Sequence, residues 1–181
     1  MRGLERIMCI AGAVLCACAS GSDDPSTRPS GDSRWGDKLE GQRISVAVEN
    51  EVITPGQPVK LTLTVENVVS DPVEVAVDGD ALAQFRIKVI GPNDQECPLT
   101  RYGKSIGPPM ARPPRRIVTL RQHEKSTWSL NVSRAFDMTL AGDYRIFATR
   151  TVRTRADPDI TATLTSNTVV ISIKEEPPKE E

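Results

Sequence analysis

Ser105 lies in Gly103-Lys104-Ser105-Ile106-Gly107, the G-x-S-x-G spacing that holds a nucleophilic serine on a tight strand-to-helix turn. That chemistry needs a base within reach of the hydroxyl and an acid that orients the base. The single histidine, His123, comes later, in the polar run Arg121-Gln122-His123-Glu124-Lys125, and no Asp or Glu separates it from Ser105. The prolines of PPMARPP, 108–114, follow at once, and such a run cannot continue a helix. The stretch PLTRYGKS, 98–105, ends like a phosphate loop, but Pro98 stands where the first glycine belongs and the helix that would meet the phosphate is missing. One imidazole does not make a tetrahedral zinc site. Asp78 and Asp80 in DGD offer oxygens to Ca²⁺, which takes six to eight from an ordered loop, and turn chemistry explains them better. The reading is therefore no catalytic residue, no metal and no cofactor.

The thiols are better placed. Arg2 and Arg6 precede an apolar or small stretch, IMCIAGAVLCA, 7–17, far shorter than the roughly 20 residues that span a bilayer. A basic start, a short apolar run and small residues at its end describe an export signal. Leu15-Cys16-Ala17-Cys18 then resembles the lipobox of bacterial lipoproteins. The resemblance implies cleavage after Ala17, a diacylglyceryl thioether on Cys18, and acyl chains of the palmitate type that anchor the protein in a membrane at about 0.8 kcal/mol per buried CH₂. Ala19 is not the Asp of a retention signal, which favours the outer membrane where a cell has one. Cys9 and Cys16 leave with the signal and lipid occupies Cys18, so Cys97 remains as a lone thiol, expected to be partly buried.

These groups need a scaffold. The chain has 181 residues, with 23 Lys+Arg against 24 Asp+Glu, a balance that argues against a nucleic-acid partner. Residues 18–43 form the lipidated N-terminus and a flexible linker rich in Ser, Gly, Asp and Pro, with Trp35 expected to pin its end onto the domain. From Ile44 the pattern alternates. Val59, Leu61, Leu63 and Val65 share one face, with Lys60, Thr62, Thr64 and Glu66 on the other. Phe85, Ile87 and Val89 point inward, and GPNDQE, 91–96, turns the chain into a return strand. Further strands follow on either side of RQHEK, at 142–152 and at 160–174, while DALAQF and SRAFDM allow at most single helical turns. Seven to nine short antiparallel strands over 44–174, with a charged, Pro-rich tail at 175–181, predict an all-β sandwich.

LAGDYRI, 140–146, resembles the tyrosine corner of immunoglobulin-like domains, with Tyr144 as the corner residue. Ile146 stands where antibody domains carry cysteine, so the likeness is to the fold. The landmark order over 44–174 is similar to the immunoglobulin-like domains of bacterial envelope proteins and to the Bacillus proteinase inhibitor family known as BsuPI. The resemblance implies an immunoglobulin-like β-sandwich; the reading of the whole chain is a cell-envelope lipoprotein without enzymatic chemistry whose domain binds a protein partner. A proteinase inhibitor acting through a strand-connecting loop is the alternative. A carbohydrate-binding module is the second, and it would need Trp35, Trp128 and Tyr102 to converge. The partner surface is expected on the long basic loop 101–116, through Arg101, Tyr102, Lys104, Met110, Arg112, Arg115 and Arg116. Arg145, Arg150, Arg153 and Arg155 read as a second basic stretch on a solvated face.

Overall fold

The computed structural model describes residues 34–77, 80–106, 116–157 and 159–175, all within the compact unit Gly31–Glu181. The elements run β1 (Gln42–Val48), β2 (Val52–Ile53), β3 (Lys60–Asn67), β4 (Val73–Ala76), α1 (Ala81–Gln84), β5 (Arg86–Ile90), α2 (Arg101–Ile106), β6 (Ile117–Leu120), β7 (Lys125–Asn131), α3 (Val132–Ala135), β8 (Gly142–Arg153), β9 (Thr161–Thr165) and β10 (Val169–Ile173). The fold is an all-β sandwich. One layer is ordered β1-β3-β7 and the other β2-β10-β8-β5, with β9 pairing the far half of β8; β4 and β6 make a small third sheet.

The period of two explains which faces meet. Val59, Leu61, Leu63 and Val65 are all buried, as are Ile44 and Val46 beside them on β1. Opposite, β8 turns Tyr144, Ile146 and Ala148 inward, and β5 contributes Ile87 and Val89. Phe85 and Trp128 meet edge to face, with centroids 5.1 Å apart. Such a contact adds roughly 0.5–1.5 kcal/mol beyond the area it buries.

Sequence and structure part at definite places. Ten strands replace seven to nine among the described residues, because β2 is a two-residue edge and the run 160–174 breaks into β9 and β10. The break falls at Ser166, whose hydroxyl accepts the Ala148 N–H at 2.9 Å in place of a backbone carbonyl. β2 pairs β10 in parallel, an exception to the antiparallel rule. The return strand after GPNDQE shrinks to one bridge, Ile90↔Glu96, because the chain turns away to pair Leu99 with Phe136. Glu66, expected on the wet face, is buried. Arg43 donates to it at 3.0 and 3.2 Å, and Lys125 and His123 lie within 3.9 and 3.3 Å.

Order also begins before Ile44. Leu39 and Gln42 exchange two backbone hydrogen bonds of 2.9 Å around Glu40 and Gly41, both at positive φ, which is the geometry of a tight two-residue hairpin. The Arg43 guanidinium sits 4.2 Å over the Trp35 ring. At the other end of the sandwich Tyr144 donates its hydroxyl proton to the Leu140 carbonyl at 2.7 Å, four residues back in the chain, and the phenol is 1% exposed. That bond closes a tyrosine corner.

Candidate functional site

Residues 101–106 form a short helix, α2, where the sequence predicted loop. Its start is fixed by Thr100, whose hydroxyl donates to the Arg134 carbonyl at 2.7 Å and accepts the Gly103 N–H at 3.2 Å. Gly103 is required here: a Cβ would fall 2.3 Å from the Ala135 carbonyl oxygen, so α2 can lie against α3 only without a side chain at that position.

This packing distributes the expected partner residues. Arg101 and Lys104 are exposed on α2, and Tyr102 is half-buried. The Tyr102 hydroxyl donates to Asp80 at 3.1 Å, and the Arg134 guanidinium covers its ring at 4.0 Å. The hydrogen bond to Asp80 raises the phenol above its ordinary pKa. Arg116 is exposed and lies apart from them, where its carbonyl accepts the Val77 N–H beside β4. Met110, Arg112 and Arg115 lie outside the described residues, as does Cys18.

The other near-motifs resolve into structural roles. The Ser105 hydroxyl donates back to the Tyr102 carbonyl at 2.7 Å, within its own helical turn. His123 belongs instead to the Glu66 cluster. Asp80 caps α1, accepting the Leu82 N–H at 3.1 Å, while its second oxygen receives Tyr102. Among the described residues no group of three or more His, Cys, Asp or Glu is arranged to hold a metal ion. Trp128 is buried in the core, so Trp35, Trp128 and Tyr102 form no shared sugar platform.

Two of the concavities among the described residues bear on the basic residues singled out above. The larger, about 830 Å³, is a groove between β5 and α2. Its floor is apolar, from Leu82, Ile87, Leu99 and Phe136, and Arg86, Lys88 and Lys104 stand on its rim with one acid, Glu96. Lys88 pairs loosely with Glu96 at 3.8 Å. Cys97 forms part of the wall, and burial, followed by Asp137 and Glu96, pushes its thiol pKa above the ordinary value. Of the residues the sequence singled out as a partner surface, Lys104 lines this groove, and Arg86 and Lys88 on β5 were not among them. The edge position of β5 depends on strand order, which has no local signal.

The smaller concavity, about 370 Å³, opens between β4 and the end of β8. Here the solvated-face reading fails for Arg150. Tyr144, Ile146, Ala148, Arg150 and Val152 share the inward face of β8, and Arg150 is 7% exposed. Its guanidinium lies 5.3 and 5.4 Å from the Phe85 and Trp128 ring centres. Arg145 and Arg155 behave as surface groups, paired with Asp94 at 2.6 Å and Asp71 at 2.8 Å.

No protein-family model matches the chain, and no curated protein does. Among solved structures, a beta-glucosidase from Listeria innocua is similar at a TM-score of 0.29 and 11% identity, over 74% of this chain and 16% of that one. The chain thus spans about a sixth of that enzyme's length, and a likeness of that size carries no argument about fold or activity.

Proposed function

We propose that this chain is a non-enzymatic cell-envelope lipoprotein whose immunoglobulin-like sandwich binds a protein partner. The reading joins two features. The lipobox ending at Cys18 implies a lipid anchor in a membrane, the outer one where two exist. The groove between β5 and α2 offers a partner surface: an apolar floor of the kind that anchors side chains, rimmed by Arg86, Lys88 and Lys104, with Arg101 on the same helix. That groove is the observation that carries the binding role.

The site chemistry fits binding better than turnover. Ser105 has its own carbonyl partner and no base paired with it among the described residues, and the Tyr102 phenol is committed to Asp80. The basic rim favours an acidic partner and would set association rate and orientation more than final affinity.

Two measurements test the proposal. Envelope fractions from cells labelled with an alkyne palmitate analogue should show lipid on the wild type and none on Cys18→Ser, which should leave the membrane fraction. Cross-linking in intact cells followed by detergent purification should then recover a defined partner with the wild type and lose it with Arg86→Glu/Lys104→Glu. An unlipidated wild type overturns the anchor. Equal recovery with the double variant overturns the groove.

A further inference from the structure

Among the described residues, Arg150 is a buried cation without an anion. Its side chain is carried inward by the alternation of β8, yet no described carboxylate reaches it. Its single described hydrogen bond runs from Nη2 to the Ala76 carbonyl at 3.1 Å, on β4 across the gap. Nη1 is buried and has no hydrogen-bond partner among the described residues. A guanidinium has five N–H donors in a rigid fork that matches a carboxylate two by two. Removing such a group from water while leaving the Nη1 donors unmet is unfavourable, and the facing rings of Phe85 and Trp128 offset only part of that cost. Burial lowers the guanidinium pKa to about 10, so the charge persists at neutral pH and still seeks a counter-ion.

The surroundings define what could supply it. Arg150 lines the 370 Å³ cleft, a volume near the lower end for small-molecule sites. Val73, Ala76, Ile117 and Val152 give the cleft apolar walls, and Ile117 is 53% exposed there. Glu40 and Glu74 also line it, and their negative charge disfavours a ligand that carries more than one. Arg153 and Arg155 also line the cleft, and Arg155 is already held by Asp71. We propose that the cleft between β4 and the end of β8 is a binding site for a small monocarboxylate with an apolar body, whose carboxylate pairs with the Arg150 guanidinium. The site is separate from the groove between β5 and α2 and does not depend on the partner proposed there.

The free end of a peptide carries the same chemistry as a small acid, so the test distinguishes the two sources. The full chain in detergent is titrated with hexanoate, hexanamide, inorganic phosphate and an apolar tetrapeptide with a free or amidated C-terminus, and the thermal midpoint is followed. Hexanoate should raise the midpoint saturably, as a ligand of the native state must, while hexanamide and phosphate do not. The free tetrapeptide should act more weakly than hexanoate, and the amidated one should not act. Arg150→Met, which keeps the volume and removes the charge, should raise the hexanoate Kd about tenfold or more. Ile117→Asp, which keeps Arg150 and places an acid on the exposed wall, should do likewise should Arg150→Met fail to fold. In the ¹⁵N–¹H spectrum the Arg150 Nε signal should move on adding hexanoate. A wild type that ignores hexanoate, a response shared equally by phosphate or hexanamide, or an unchanged Kd in the variant that folds overturns the site; a free peptide that outperforms hexanoate overturns the small-molecule assignment.

Discussion

At the scale of single residues, several side chains do work that their positions in the sequence only partly announce. Tyr144 was legible because its motif is local: the ring and the carbonyl it meets are four residues apart. Replacing it with Phe should lower stability by about 1 kcal/mol, the net worth of one hydrogen bond, at unchanged slope in a urea titration. Arg150 and Glu66 were misread, because alternation states which face a side chain takes and not whether that face is covered. Glu66 is covered by partners from β1 and β7, and Glu66→Ala should cost roughly 2 kcal/mol by removing charge-assisted hydrogen bonds from Arg43. Cys97 offers a titration. Its folded-state pKa lies above the ordinary thiol value, chiefly through burial, so the fold favours the neutral thiol. The stability linked to this group is complete below its unfolded pKa and is lost as pH rises through the folded one. A thiol-reactive chromophore should therefore label the native protein more slowly than the unfolded chain at pH 8, with the gap narrowing above pH about 9.

At the scale of elements, period-two alternation located β3, β5 and the long β8 well, since each buries one face. Boundaries that depend on a side chain imitating backbone were invisible. The split between β9 and β10 is one such case, made by the Ser166 hydroxyl. The corner between β3 and β4 is another. Asn67 is fully buried; its amide donates to the Asp71 and Leu120 carbonyls at 2.8 and 2.9 Å and accepts the Val69 N–H at 3.0 Å. Asn67→Ala would strip partners from buried backbone groups, and a loss of about 3 kcal/mol is expected by chemical denaturation. α2 escaped the sequence reading for a related reason. A six-residue helix rich in polar residues has little propensity of its own, and it is held by Thr100 and by the close approach at Gly103. Gly103→Ala should push α2 away from α3 and raise amide exchange across 100–106 while the sheets stay protected.

At the scale of the whole molecule, the sandwich was legible and the two concavities described above were not, since both lie between elements distant in sequence: β5 with α2, and β4 with β8. The layers are joined by side chains as well as by the core. Asn167, in the break after β9, accepts the Val46 N–H at 2.8 Å and donates to the Val46 carbonyl at 3.0 Å, while the Gly36 N–H donates to the Ile44 carbonyl at 2.9 Å. Val46 and Ile44 are the rungs that β1 turns away from β3. An amide side chain and a stretch of chain ahead of the first strand thus occupy hydrogen-bonding sites that could otherwise template a foreign strand. Hydrolysis of the Asn167 amide to a carboxylate, the ordinary ageing reaction of asparagine, would remove the donor and set a negative charge against the Val46 carbonyl. An aged or Asn167→Asp preparation should accordingly scatter more light and form dimers and longer fibrous chains as concentration rises, so the shelf life of this protein is written in one side chain at its rim.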